Sequence, residues 1–376
     1  MTASRDCQRP MHIWAPGFTG FGGGITAFGH ALVEALALRA PTLVLWGRDD
    51  TAGTWRGYAL RGAGSWPLPW RKPAYAWQLL RGAWTGRPRL VVCTHLNYGP
   101  VALLARKLFG VGYVIVGHGV EVGPDVTRLR RLALKRARAV WVVSRWTRDR
   151  MIALGVDPGR ISIIGNTVDE SRFRPHAHKD AARTSLALPA HGRLILTVAR
   201  LDPYERYKGC DAVLRALPGL RERLGPVDYV IVGQGGDQQR LQRLAAELGV
   251  ASSVHFAGFV DDGALPAYYA LADAFAMPSQ GEGFGIVFLE AMVSGTPVLG
   301  GCLDGTPDAL DDGRLGVLVD PRDGADVARG LEVLLTRSGP EGWFQPERLR
   351  ADCLARHGRE AFAARVDSAL AHAGAG

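Results

Sequence analysis

The sequence has no long hydrophobic run. No stretch of its 376 residues approaches the roughly 20 apolar residues that a membrane-spanning helix requires. The first ten residues carry charges and no apolar segment of signal-peptide length. We therefore expect a cytoplasmic protein, and a peripheral position on the inner face of the membrane stays open.

Cysteine is also scarce and scattered. The five cysteines, Cys7, Cys93, Cys210, Cys302 and Cys353, form no C-x-x-C pair. This spacing indicates neither a disulfide framework nor a zinc site. The sequence also lacks an Asp-x-Asp pair and any His or Cys cluster with metal-ligand spacing. We expect no metal ion and no cofactor.

Low-complexity tracts are missing as well, which excludes a largely disordered chain. Hydrophobic residues make up 47% of the sequence and charged residues 22%, as in globular proteins. A chain of this length is long enough to form two domains of roughly 150 to 200 residues each.

Charge is divided unevenly along the chain. Residues 1–180 hold 26 Lys and Arg against 11 Asp and Glu, a net charge of +15, and the remainder holds 19 against 25, a net charge of −6. The basic half suggests an anionic partner. Its densest stretch, residues 128–150, is interpretable as a solvated helix face or as a patch facing an anionic membrane. Because no zinc finger or RNA-recognition signature accompanies it, we expect no nucleic-acid partner.

Short apolar runs alternate with amphipathic helical stretches, a pattern typical of βα units around a parallel sheet. The predicted strands of the first half are Met11–Ala15, Thr42–Trp46, Leu90–Cys93, Gly112–Val116, Ala139–Val143 and Ile161–Ile164. Those of the second half are Arg193–Ala199, Val227–Val232, Val254–Ala257, Ala274–Met277, Pro297–Leu299 and Gly316–Val319. A polar stretch from Asp169 to Ala190 is the predicted linker.

We therefore predict an α/β fold with two Rossmann-like domains, residues 1–180 and 181–355. The last segment, residues 356–376, is predicted to be a helix that packs back toward the first domain. Doubly wound domains bind ligands at the carboxyl ends of their strands, so we expect the site where two such edges face each other.

The most informative segment is Glu282-Gly-Phe-Gly-Ile-Val-Phe-Leu-Glu290, at a turn from a strand into a helix. Its glycines permit close backbone approach, and amides at the start of a helix bind anions such as phosphate. We expect Gly283, Phe284, Gly285 and Ile286 to contact a bound anionic ligand.

This segment resembles the E-x7-E motif of the retaining glycosyltransferases of family four, the glycosyl transferases group 1. The resemblance covers nearly the whole chain and implies the GT-B architecture, two facing Rossmann-like domains with the active site in the cleft between them. It also implies that Glu282 bonds hydroxyls of the donor sugar and that Glu290 bonds the ribose of the nucleotide.

Two cations follow the strand Arg193–Ala199, in the segment from Arg200 to Lys208. Departure of a nucleoside diphosphate places negative charge on its β-phosphate, which Arg and Lys stabilise. The resemblance makes Arg200 and Lys208 the donor-phosphate pair. Their spacing is longer than in many members, which leaves Arg206 open as a substitute for one of them.

In the first half, Gly22-Gly23-Gly24 lies between a predicted strand and helix. The resemblance implies that this loop, with Gly23 and Gly24, approaches the donor phosphates. His118 follows the strand Gly112–Val116, and the resemblance implies a contact with the donor sugar near the reacting carbon.

Four further positions have weaker signals. His95 follows the strand Leu90–Cys93 and is a candidate for acceptor binding. Asn166 resembles part of the family's N-G-V-D segment, and we interpret it as shaping a turn, with acceptor contact as a further candidate role. The resemblance implies that Val260 contacts the nucleobase through its backbone and that the glycine-rich loop beginning at Gly233 lies near the same site.

The predicted function is metal-independent transfer of a hexosyl group, with retention of anomeric configuration, from GDP-mannose, UDP-glucose or UDP-N-acetylglucosamine. A glycan or lipid-linked acceptor, as in surface polysaccharide assembly, is the expected second substrate. Alternatives are a sugar-nucleotide epimerase of the same architecture, a dinucleotide-dependent oxidoreductase using Gly22-x-Gly24-x-x-Ala27, and a non-catalytic binding module. The last leaves Glu282 and Glu290 unexplained.

Overall fold

The computed structural model describes residues 9–20, 23–38, 42–176, 183, 186, 188–189 and 191–374. They form two compact units, one of residues 1–167 with 359–376 and the other of residues 168–358. Both are α/β units, so the predicted fold class of two Rossmann-like domains is confirmed. Among the described helices, none is long and apolar enough to cross a membrane.

The first unit contains an eight-stranded sheet in the order β3-β4-β2-β1-β5-β6-β7-β8. Its strands are β1 Met11–Ala15, β2 Leu43–Gly47, β3 Gly53–Trp55, β4 Tyr58–Gly62, β5 Leu90–Cys93, β6 Tyr113–Gly117, β7 Ala139–Val142 and β8 Ile161–Ile163. Its helices are α1 Gly24–Ala37, α2 Leu68–Gly86, α3 Gly99–Phe109, α4 Arg128–Arg136 and α5 Arg145–Ala153. All its pairings are parallel except that of β3 with β4.

The second unit contains a six-stranded parallel sheet in the order β11-β10-β9-β12-β13-β14. Its strands are β9 Arg193–Val198, β10 Val227–Val232, β11 Val254–Gly258, β12 Ala274–Met277, β13 Val298–Gly301 and β14 Val317–Val319. Its helices are α6 Cys210–Leu224, α7 Gln238–Glu247, α8 Leu265–Leu271, α9 Ile286–Val293, α10 Thr306–Ala309, α11 Gly324–Thr336 and α12 Pro346–His357. The final helix, α13 Arg359–His372, belongs to the first unit and packs against α1.

The central strands are buried on both faces, as near-continuous runs of Val, Ile and Leu predict. In the second unit, Ile195, Tyr229 and Ala274 have no exposed surface and lie in one core with residues of α6 and α11. The strand order reverses on either side of β9, so a ligand site is expected where β9 and β12 end.

The predicted strands are confirmed to within two residues at each end. The hairpin of β3 and β4 was missed, although Arg56 and Gly57 mark it. Both have positive φ, 47° and 84°, the geometry of a tight type I′ hairpin turn. The basic stretch of residues 128–150 is not one helix, because buried strand β7 separates α4 from α5.

The predicted linker is wrong where the structure describes it, because its residues pack on the second unit. Phe173 is buried against Tyr269, with ring centroids 5.7 Å apart, and the Arg350 guanidinium donates to the Glu170 carbonyl at 2.7 Å. Buried Arg183 donates to the Asp273 carboxylate at 2.7 Å. The second unit therefore begins at Val168, ahead of the predicted boundary at residue 180, which lies outside the described residues.

Candidate functional site

Two segments meet at the carboxyl end of the second sheet. The Gln280 amide, after β12, donates to the Tyr207 carbonyl, after β9, at 2.9 Å. A side chain at Gly209 would lie 2.3 Å from the Pro278 carbonyl oxygen, so glycine is required for this close approach. The segment that carries Lys208 therefore packs directly on the segment that leads to Glu282.

Glu205 joins the two predicted phosphate-binding cations. One carboxylate oxygen forms an ion pair with Arg200, and the other lies 3.3 Å from Lys208 Nζ. The Arg200 side chain is 78% exposed and that of Lys208 only 16%. The sequence did not single out Glu205. Arg200 and Lys208 thus share one carboxylate as their partner.

Arg206, the predicted substitute, is engaged elsewhere. Its Nε donates to Asp237 Oδ1 at 2.9 Å, and that carboxylate also accepts from Arg240. The Asp237 side chain is only 5% exposed. The geometry therefore favours Arg200 over Arg206 as the partner of Lys208.

The loop of Glu282 is held by the buried Asp304, a residue that was not predicted from the sequence. One oxygen of its carboxylate accepts from the amides of Gly281 at 2.9 Å and Glu282 at 2.8 Å and from the Ser279 hydroxyl at 2.7 Å. The other accepts from the Thr306 amide at 2.9 Å. Asp304 comes just after β13, and its position after a strand was the available signal.

The side chain of Glu282 is half-buried, and the charges of Lys208 and Asp304 act on its carboxyl group. Burial raises its pKa above the ordinary value, and the charge of Lys208 opposes that rise. Burial also raises the pKa of Asp304, and the hydrogen bonds that its carboxylate accepts from Ser279, Thr306 and the Glu282 amide oppose that rise. Glu282 and Lys208 are thus electrostatically linked, which the sequence alone could not establish.

Glu290 lies within α9, behind the turn that carries Glu282. Gly285, with φ of 86°, precedes the helix and leaves its first amides without a side-chain cap, which suits an anion. The Tyr269 hydroxyl donates to Glu290 Oε2 at 2.7 Å, and burial raises the pKa of this carboxyl. Tyr269 was also missed, because its partner lies on another helix and no sequence spacing links them.

The other residues of the second unit that were predicted to contact the donor differ in how far their side chains are exposed. Gly283, Phe284 and Gly285 are buried, and the Phe284 ring packs against His357 with centroids 5.6 Å apart, so only its backbone is placed for a ligand. Ile286 and Val260 are half-buried. Packing explains why position 233 is a glycine, because a side chain there would lie 1.9 Å from the Ala199 carbonyl oxygen.

In the first unit, the predicted residues lie where strands end. His118 Nε2 donates to the Thr94 carbonyl at 2.8 Å, and its ring packs edge-on against Phe28. His95 Nδ1 accepts from the Asn97 amide at 3.1 Å, and burial lowers the pKa of His95. Asn166 is buried, and its side-chain oxygen has no hydrogen-bond partner among the described residues.

Gly23 precedes helix α1 and Gly24 begins it, while Gly22 lies outside the described residues. A side chain at Gly23 would meet no atom within 4 Å, so packing in the described chain does not explain the glycine. The loop before it is fixed by buried Asp50, which accepts from the Phe18 amide at 2.7 Å and the Thr19 amide at 2.9 Å. Asp50 therefore has a structural role in holding these two residues ahead of the glycines.

Among the described residues, no group of three or more His, Cys, Asp or Glu side chains is arranged to hold a metal ion. Arg200, Lys208 and the first amides of α9 each contribute positive charge at the carboxyl end of the sheet.

Two family models match the chain. The model described as glycosyl transferases group 1 matches residues 178–349, and that of the glycosyl transferase 4-like domain matches residues 23–167. The D-inositol 3-phosphate glycosyltransferase 2 of Catenulispora acidiphila is 33% identical over 339 residues, which are 81% of this chain and 75% of the relative.

A second relative is the GDP-mannose-dependent alpha-(1-6)-phosphatidylinositol monomannoside mannosyltransferase of Mycolicibacterium smegmatis. It is 37% identical over 250 residues, which are 63% of this chain and 65% of the relative. The match therefore spans slightly less than two thirds of the mannosyltransferase.

Solved structures share the fold over almost the whole chain. Sucrose-phosphate synthase from Thermosynechococcus elongatus has a TM-score of 0.77 at 22% identity, covering 96% of this chain and 98% of its own. Anabaena HepE in complex with UDP-glucose has a TM-score of 0.78 at 19% identity, covering 96% and 99%. At these identities the likeness concerns the fold alone.

Proposed function

The chain belongs to the glycosyl transferases group 1 family, and we propose that it is a retaining hexosyltransferase that uses a nucleoside-diphosphate sugar. One observation carries the proposal: where β9 and β12 end, the segment that carries Lys208 packs on the segment that leads to Glu282 through the Gln280–Tyr207 hydrogen bond, and Asp304 fixes the loop of Glu282. A cation and a carboxylate on two adjoining segments suit a ligand with an anionic diphosphate and a sugar rich in hydroxyl groups.

In the proposed reaction, an acceptor hydroxyl attacks the anomeric carbon of the donor. The bond from that carbon to the β-phosphate oxygen breaks, and its electron pair leaves with the nucleoside diphosphate. Arg200, Lys208 and the first amides of α9 stabilise the charge that develops there. The acceptor proton passes to the departing phosphate on the same face of the sugar, so the configuration is retained without an enzymic nucleophile or a metal ion.

Individual residues receive roles in this reaction. Glu282 accepts hydrogen bonds from hydroxyls of the donor sugar, and Glu290 accepts from the ribose. His118 contacts the sugar near the reacting carbon, and Gly23 and Gly24 approach the phosphates. Backbone groups at Gly233 and Val260 contact the base, and His95 and Asn166 contact the acceptor.

The relatives guide the choice of donor and acceptor. GDP-mannose is the first donor to test, because the mannosyltransferase is named for its dependence on it. UDP-glucose and UDP-N-acetylglucosamine follow. The acceptor is proposed to be a glycan or a lipid-linked molecule in surface polysaccharide assembly, and phosphatidylinositol monomannoside and inositol 3-phosphate are the first compounds to test.

Thermal-shift measurements with GDP, UDP and their sugars test the donor, because a ligand that binds only the folded state stabilises it according to its affinity. We expect a rise in Tm with one nucleotide series and a smaller rise in the K208A variant. The proposal fails if no member of either series raises Tm. Donor conversion to an epimer without any acceptor would support the epimerase instead.

A further inference from the structure

Helix α2 presents an apolar face that no described residue of the chain covers. Trp70, Trp77 and Trp84 recur every seven residues, which places them along one side of the helix, and their exposed fractions are 65%, 67% and 58%. Just ahead of them, Trp66 and Leu68 are also exposed. Exposed tryptophan on this scale needs a cause, because large apolar patches mark interaction sites.

This face is separate from the one that anchors the helix. Tyr75, Leu79 and Ala83 are buried in the core of the first unit. The Tyr75 hydroxyl donates to the Trp46 carbonyl at 2.6 Å. The exposed tryptophans are therefore not needed to hold α2 in place.

The neighbouring helices extend the apolar surface. Helix α3 packs against α2, and α4 packs against α3, so the three form one layer. Leu104 and Leu108 of α3 are exposed, as are Leu129 and Leu132 of α4. We call the exposed apolar side chains of α2, α3 and α4, together with Trp66, the tryptophan surface.

Positive charge surrounds these apolar residues. Between Asp50 and Glu121 the sequence contains no acidic residue. The exposed basic residues of the layer are Lys72, Arg81, Arg106, Lys107, Arg128, Arg131, Lys135 and Arg136. Tryptophan combined with Lys and Arg is typical of surfaces that lie in the interface of an anionic bilayer.

We propose that the tryptophan surface docks the protein on an anionic lipid bilayer, with Trp70, Trp77 and Trp84 inserted at the level of the headgroups. A second copy of the chain fits less well, because a symmetric pair would bring the same basic residues face to face. None of the donor-site residues lies on this surface, so the proposal stands apart from the proposed donor.

The test is co-sedimentation with vesicles of phosphatidylcholine alone or mixed with phosphatidylglycerol. We expect the protein to bind the mixed vesicles at low salt at least tenfold more strongly than the neutral ones. The W70A/W77A/W84A variant should bind them at least tenfold more weakly, and W70F/W77F/W84F should fall in between. Arg329→Glu, on the second unit, is a control for net charge and should bind as the wild type does.

Two further readouts separate docking from damage to the fold. Because the three side chains are exposed, the alanine variant should keep its Tm and its nucleotide-induced thermal shift. Tryptophan fluorescence of the wild type should be quenched by brominated lipids. The proposal is overturned if the wild type does not bind anionic vesicles or if the alanine variant binds them as strongly as the wild type. It is also overturned if the only effect of the three substitutions is that a dimeric protein becomes monomeric.

Discussion

The carboxylate of Asp304 accepts a hydrogen bond from the backbone amide of Glu282 at 2.8 Å. It also accepts from the Gly281 amide and from the Ser279 hydroxyl. A buried carboxylate that collects several donors from one loop fixes the path of that loop. Asp304 is therefore a positioning residue for Glu282.

The first prediction concerns this anchor. Asp304→Ala leaves the amides of Gly281 and Glu282 without their acceptor, so we expect kcat/KM for the donor to fall by roughly 10²-fold, in the range for misplaced catalytic groups. Steady-state kinetics with varied donor measures this. Asp352→Ala, at an exposed position, is the matched control and should be near normal. Equal activities of the two variants would contradict the assigned role of Asp304.

A second prediction tests the packing under the same loop. A side chain at Gly305 would lie 1.9 Å from the Gly283 carbonyl oxygen, so Gly305→Ala must push the loop aside. We expect transfer to fall at least tenfold. Gly324→Ala places the same methyl group where no atom lies within 4 Å and should leave activity unchanged. Unaltered transfer in G305A would show that the position of the loop is unimportant.

The two arginines near Lys208 give a third prediction. Arg200 is 78% exposed and pairs with Glu205, the carboxylate that Lys208 also approaches, whereas Arg206 pairs with the more deeply buried Asp237. We expect R200A to lower kcat/KM for the donor by roughly 10²-fold, as loss of one charge-stabilising group does. R206A should stay within about threefold, because its removal leaves Arg240 on Asp237. The reverse order would make Arg206 the phosphate-binding cation.

A fourth prediction follows from the raised pKa of Glu290. Burial is the main cause, so the folded protein retains this proton at a pH where the unfolded chain has lost it. The stability that this carboxyl contributes is complete below its ordinary pKa of 4.5 and is lost as pH rises through the higher folded value. Glu290→Gln removes that loss and leaves an acceptor for Tyr269.

Melting temperatures at pH 4 and pH 7 test this. The variant E290Q should melt above the wild type at pH 7 and close to it at pH 4, while its donor binds more weakly. Glu247→Gln, on the exposed end of α7, is the control and should follow the wild type at both values. Parallel shifts of E290Q at the two pH values would contradict the assigned cause.

Most strands of both sheets could be predicted from the local pattern of apolar residues in the sequence. Strands such as β9 and β10 are near-continuous apolar runs, which makes their existence and approximate ends predictable. The boundary between the two units could not be predicted in this way, because Phe173 and Arg183 lie in a polar stretch and are buried by residues far along the chain. Local composition carries no record of such distant partners.

The same distinction applies to the site. Glu282, Glu290 and Lys208 belong to recognisable segments, so the sequence points to them. Asp304 and Tyr269 act through hydrogen bonds to those segments from other elements, and only the fold reveals them. Glu205 was overlooked because an acidic residue is not expected between two cations that are predicted to bind phosphate.

The central claim is that Glu282 and Lys208 hold a sugar nucleotide for transfer. Its most direct test is the rate of transfer of labelled sugar from GDP-mannose, UDP-glucose and UDP-N-acetylglucosamine to the acceptors named above. We predict that the wild type uses one of these donors and that E282A and K208A each lose at least roughly 10²-fold in rate while remaining folded. Near-normal rates in both variants would contradict the account.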